Sequence, residues 1–140
     1  MAELASSIIT IATVSLAIIK ETVNYIKEIR LVDRVVNRLL TNLKDLHELI
    51  RLVELTYQRA NSDKSEPSVF VKQNLIKCRD RIRDVKPMIF ELASRNTDTF
   101  FKKVSLKRKS DAVKEDIETI IHDIRLYMED IRVGISCWSL

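Results

Sequence analysis

Apolar residues recur along most of this chain at alternating intervals of four and three. Val32, Val36, Leu39, Leu43, Leu46, Ile50, Val53 and Tyr57 form one such row, flanked by Val35, Leu40 and Leu49. Arg34, Arg38, Lys44, Asp45, Glu48 and Arg51 fill the positions between. This spacing keeps one stripe of a helix apolar and leaves the rest to water. It predicts a helix over about Asp33–Asn61, with Asp33 as N-cap. After a Ser-, Asp- and Pro-rich break at 61–68, Val71, Leu75, Cys78, Ile82, Val85, Ile89 and Leu92 repeat the pattern. Pro67 suits the first turn of that helix, whereas Pro87 lies within it and predicts a kink. A further row, Val113, Ile117, Ile120, Ile124, Tyr127, Ile131 and Gly134, is widened by Ile121, Met128 and Ile135. It predicts a last helix beginning near Ser110 or Asp111 that touches more than one neighbour.

The N-terminal stretch is different. A helix over about Ala2–Ile29 is expected, and its residues Leu4–Ile19 carry no charge. At about 1.5 Å per residue that run spans roughly 24 Å, less than the roughly 30 Å of a bilayer's hydrocarbon core. Apolar residues lie nearly all round it, interrupted by the hydroxyls of Ser6, Ser7, Thr10, Thr13 and Ser15. A helix absorbs such hydroxyls by bonding them to carbonyls one turn earlier. Beyond Lys20 the pattern turns amphipathic, with Val23, Ile26 and Ile29 expected to face inward. Periodicity supports two compatible readings, the central helix of a bundle and a latent membrane segment. A segment this short and hydroxyl-rich is expected to be buried at rest, with any membrane role conditional. A secretory signal is disfavoured because the only early charge is Glu3 and no small-residue cleavage site precedes Lys20.

Composition sharpens the fold. One Gly and two Pro in 140 residues leave too few turn residues for a strand-rich chain. The expectation is a single all-α domain over 1–140, a four-helix up-down bundle with room for a short fifth helix near Phe100. The tail after Gly134 ends without a polar cap, which leads us to expect the N-terminal domain of a larger protein.

The net charge of +4 is unevenly placed. Asn96–Ser110 reads as a connection that gathers Lys102, Lys103, Lys107, Arg108 and Lys109 around Phe100 and Phe101. Basic residues interleaved with apolar ones suit anionic lipid or a partner, at about 1 kcal/mol per charge near a lipid surface. An ordinary solvated loop fits as well. Lys72, Arg79 and Lys86 form a stripe at seven-residue spacing, as do Asp116, Asp123 and Asp130, and both read as solvated flanks. Two cysteines make no disulfide framework, so the chain reads as cytosolic, with Cys78 a small buried apolar residue.

No enzyme chemistry is visible. His47 and His122 have no metal-ligand spacing, and one Gly excludes a glycine-rich phosphate loop. No paired Glu-x-x-His set suggests a bundle metal site, so no cofactor or metal is expected. Nucleic acid is not expected as a partner either, because no basic recognition helix stands out.

The apolar first helix AELASSIITIATVSLAIIKETVNYI, followed by VVNRLLTNLKDLHELIRLVE, resembles the HeLo-like N-terminal domain of fungal NOD-like receptors. The closing stretch KKVSLKRKSDAVKEDIETIIHDIRLYMEDIRVGIS extends that resemblance over nearly the whole chain. Related architectures are the HET-S incompatibility effector, the four-helix domain of the mixed-lineage kinase-like pseudokinase, and helical domains of some plant immune receptors. The resemblance implies a role in programmed cell death, heterokaryon incompatibility and innate immunity. It implies a cytoplasmic bundle that self-associates under the C-terminal regulatory domains of its parent protein and then permeabilises the plasma membrane. Leu4, Ile8, Ile9, Ile11, Val14, Leu16, Ile18 and Ile19 would form the inserting helix. The alternative is a soluble interaction and oligomerisation module that relays a signal without touching lipid.

Overall fold

A computed structural model describes residues 2–30, 33–59, 65–94 and 100–139, with the side chains of Ala2, Ser65, Ser94, 100–110, Trp138 and Ser139 outside the description. Five helical segments account for it, namely α1 (Ala2–Ile29), α2 (Arg34–Gln58), α3 (Ser65–Arg83), α4 (Val85–Ser94) and α5 (Phe100–Ser139). α3 and α4 are the two halves of one kinked helix, so the architecture is the expected all-α four-helix bundle.

Helix ends follow local chemistry. Asp33 caps α2, its carboxylate accepting from the N–H groups of Val35 at 2.8 Å and Val36 at 3.4 Å. Lys114 of α5 meets the same carboxylate at 2.9 Å. Burial by itself would raise the Asp33 pKa. The Lys114 ammonium and the two N–H groups outweigh it and hold the carboxyl below its ordinary 3.8. A lowered folded-state pKa means that this contribution is present above the unfolded value and is lost as pH falls through the folded one. We expect Asp33→Ala to cost about 1–2 kcal/mol at pH 7, a typical cap loss. The gap from wild type should close in urea titrations run below pH 3.8. A gap that persists undiminished in acid would show that the carboxylate charge is not what stabilises the cap.

α1 ends at Arg30, whose φ of 55° is left-handed and whose N–H reaches the Lys27 carbonyl at 3.2 Å. This is a C-terminal stop of the kind usually given to glycine. The break between α3 and α4 falls at Asp84, three residues ahead of Pro87. Pro87 has no N–H to offer the Arg83 carbonyl and its ring crowds that turn, so the kink develops on the N-terminal side of the proline.

Of the connection expected over Asn96–Ser110, residues 96–99 lie outside the described residues and Phe100–Ser110 is helical. α5 is already helical at Phe100 and continues unbroken to Ser139, so Ser110 and Asp111 lie inside a helix instead of capping one. The segment FFKKVSLKRKS contains neither Gly nor Pro, and Lys, Arg and Leu are strong helix formers.

Ion pairs set the directions. Lys114 with Asp33 and Arg38 with Glu118 (3.5 Å) make α5 parallel to α2. Arg81 with Asp123 (2.9 Å) and Lys77 over the Tyr127 ring make α5 antiparallel to α3. α1 packs against α2, α3 and α4, and α5 packs against the same three from the opposite side. The expected seams are buried as read, from Val36 to Tyr57 on α2 and from Val71 to Leu92 on α3 and α4. On α5, Val113, Ile117, Ile120, Ile124 and Ile131 are buried, with Tyr127 half-buried. Val32, the first residue of the α2 row, and the expected α2 end at Asn61 lie outside the described residues.

Cys78 sits in the α3 seam, where burial pushes its thiol up to about 12. It is therefore a neutral packing group, and Cys137 is exposed. Of the two charged stripes, Lys86 pairs with Glu21 on α1 and Arg79 with neighbouring Asp80. Asp123 takes Arg81, which belongs to neither stripe.

Candidate membrane-active helix

α1 presents three kinds of surface. Its innermost row is Ile8, Ala12, Ser15, Ile19, Thr22 and Ile26, all at most 3% exposed. The spacing is the 4, 3, 4, 3 of the other seams, but half of its members are small or hydroxylated. On either side, Leu4, Ile9, Ile11, Leu16, Ile18, Val23, Tyr25 and Ile29 lean half-buried against the core. The outward row is Glu3, Ser6, Thr10, Thr13, Ala17 and Asn24, joined by Val14 at 40% exposure.

This arrangement corrects two expectations. The helix is covered along one face and not all round, with 22% of its most apolar 18-residue window buried. Nor do Val23 and Ile29 point fully inward. Thr22 takes the buried place beside Ile26. Of the residues expected to insert, Ile8 and Ile19 are buried, Leu4, Ile9, Ile11, Leu16 and Ile18 are half-buried, and Val14 is exposed.

The hydroxyls explain how so apolar a helix tolerates an outer face. Thr10 Oγ1 donates to the Ser6 carbonyl at 2.9 Å, and Thr13 Oγ1 donates to Glu54 Oε2 on α2 at 2.9 Å. Ser15 is different, since its Oγ is buried and has no hydrogen-bond partner. A buried hydroxyl left unpaired costs about 1–3 kcal/mol, and Ala is also the better helix former. Ser15→Ala is therefore expected to stabilise the bundle by about 1 kcal/mol, seen as a rise of a few degrees in Tm. A fall in Tm would mean that the hydroxyl is bonded in solution.

Lys86 of α4 bonds Glu21 at 3.0 Å and stands 5.1 Å from the centre of the Tyr25 ring. Ahead of Lys20, the Thr13–Glu54 bond ties α1 to α2. The most apolar 18-residue window within Glu3–Ile29 has a mean hydropathy of 1.6, and by length and composition the helix could cross a membrane.

Lys102, Lys103, Lys107, Arg108 and Lys109 stand on the first turns of α5. Their side chains, and those of Phe100 and Phe101, lie outside the described residues. Among the described residues no group of three His, Cys, Asp or Glu side chains is placed to hold a metal. Comparison with protein-family models, curated proteins and solved structures finds no match.

Sequence periodicity missed Ser15, Ala12 and Thr22 as seam members. The signal was present, because stepping by four and three from Ile8 through Ile19 to Ile26 lands on all three. Apolar neighbours on both flanks concealed it.

Proposed function

We propose that this chain is a membrane-targeting, cell-death execution domain whose α1 leaves the bundle on oligomerisation and enters the bilayer. The observation that carries this reading is the mismatch within α1. By composition it is the membrane-seeking helix of the chain, yet its seam contributes three large aliphatic side chains, Ile8, Ile19 and Ile26. α2 buries Val36, Leu39, Leu43, Leu46, Leu49, Ile50 and Val53. At about 1.5–3 kcal/mol per fully buried aliphatic side chain, the α1 seam contributes less than the α2 seam, and much of the hold on α1 comes from its half-buried flanks.

Once released, the half-buried flanks exchange protein contacts for acyl chains. The hydroxyls bond back to their own helix, as Thr10 already does. Glu3 and Lys20 bracket the uncharged run, and a run shorter than the bilayer is accommodated by local thinning and by Lys20 reaching toward the headgroups. Lys102, Lys103, Lys107, Arg108 and Lys109 would add attraction to anionic lipid of about 1 kcal/mol each. On this reading the protein rests in the cytoplasm, is held there by regulatory domains of a parent protein, and self-associates at the plasma membrane.

A second reading is a soluble oligomerisation module. It is favoured by large apolar side chains left exposed away from α1, namely Leu52 at 50%, Phe90 at 64%, Leu126 at 52% and Val133 at 50%. Dye leakage from anionic liposomes separates the two. The wild-type chain, forced into oligomers by a fused coiled coil, should release dye. Ile11→Glu and a chain lacking residues 1–19 should not, each first shown by circular dichroism to remain helical. A folded, oligomeric wild type that neither binds nor permeabilises the liposomes ends the membrane reading in favour of the module.

A further inference from the structure

A trough of about 780 Å³ opens between α2 and α5, on the side of the bundle away from α1. Its walls carry four guanidinium groups, those of Arg34, Arg38, Arg125 and Arg132. Facing them are the carboxylates of Asp33, Asp45 and Glu129, of which Asp33 is already taken by Lys114. Arg38 and Arg132 hold only loose, solvent-exposed pairs with Glu118 (3.5 Å) and Glu129 (3.6 Å). Arg34 and Arg125 have no ion pair among the described residues. Positive charge is therefore in excess here, and exposed pairs of this kind are readily exchanged for a better partner.

The trough wall also holds an unusual amide. Asn42 is 4% exposed, and its Oδ1 has no hydrogen-bond partner. A native buried amide left unpaired calls for a partner, and Asn42 lines the trough, so rotation of its side chain would bring the amide to a group docked there. Because amide oxygen and nitrogen are interchangeable by rotation, Asn42 suits a group that both donates and accepts. A peptide bond does both.

We propose that the α2–α5 trough docks an acidic, extended segment of a partner protein, with Arg34, Arg38 and Arg125 binding its carboxylates and Asn42 its backbone. The spacing agrees. Arg34 and Arg38 lie about 6 Å apart along α2, and carboxylates on alternate residues of an extended chain stand about 6.5–7 Å apart. From Asp33 to Asp45 the α2 wall runs about 18 Å, enough for five or so extended residues. This site shares no residue with α1, so the inference stands or falls independently of membrane insertion.

The test is fluorescence anisotropy with a labelled ten-residue peptide alternating Glu and Ser, in buffer of about 0.15 M salt so that weak surface attraction is screened. Saturable binding is expected, at least about tenfold tighter than to the same peptide with Gln for Glu, as loss of charge pairing predicts. Arg34→Gln combined with Arg125→Gln, both exposed and remote from the core, should weaken it by about tenfold or more. Asn42→Leu, checked for an unchanged or raised Tm, should weaken it several-fold, by roughly the worth of one or two hydrogen bonds. The Arg variant settles the matter even if Asn42→Leu misfolds. No saturable binding up to about 1 mM, an affinity near −4 kcal/mol, overturns the proposal. Binding indifferent to the Arg pair also overturns it. So does tripolyphosphate competing as well as the peptide while Asn42→Leu has no effect, which would mark a simple anion site.

Discussion

Tethering α1 to α2 is expected to abolish liposome leakage completely, and cutting the tether is expected to restore it. Thr13 and Glu54 are the natural anchor points because their side chains already meet at 2.9 Å across the α1–α2 interface. Thr13→Cys and Glu54→Cys joined by a cleavable bis-maleimide would hold the N-terminal half of α1 in place. The chemistry is clean with Cys137→Ser as background, since Cys78 is buried with its thiol pushed up to about 12 and stays protonated. The tether alters no core residue, so it separates the release of α1 from a failure to fold, which a charge placed at Ile11 does not do alone. Activity that survives the intact tether would mean that membrane damage does not need α1 to leave.

Gly134 is expected to be the residue least tolerant of enlargement on α5. An added Cβ there would stand 2.6 Å from Val71 Cγ2 and 3.5 Å from the Pro67 carbonyl oxygen of α3. Val71 is fully buried and, being β-branched, has little freedom to rotate away. Overpacking of this kind costs about 1–3 kcal/mol, against a gain of up to about 1 kcal/mol from removing glycine from a helix. Gly134→Ala should therefore lose about 1–2 kcal/mol, and Gly134→Val more, in urea unfolding. A stabilised Gly134→Ala would show that α3 and α5 have room to part at this end. Gly134, a member of the α5 row, thus stands where α5 lies close against α3.

The same residues show how far the chain alone carries the reading. Helix extents, the Asp33 cap and the seams on α2, α3 and α5 are local properties. A cap needs a side chain two or three residues from the N–H groups it accepts, and a seam needs only a repeat of four and three. Hence α1 was legible to the residue, and nearly every expected core position on the other helices is buried.

What sequence could not decide depends on neighbours. Apolar residues almost encircle α1, so its periodicity allows several inward faces. Only packing against α2 and α3 selects the one that buries Ala12, Ser15 and Thr22. The trough around Asn42 exists because α2 and α5 are neighbours that run parallel, a relation between segments some eighty residues apart. The basic run from Phe100 to Ser110, expected as part of a connection, is helical because its helix-forming residues continue into α5. Charge describes what a segment attracts, whereas backbone preference and the helix it continues decide its conformation. For the apolar N-terminal stretch, the sequence by itself determined that it is a long, largely uncharged helix. Only the tertiary structure decided which of its faces is covered, a small and hydroxylated seam, because burial is set by what packs against a face and not by how apolar the face is.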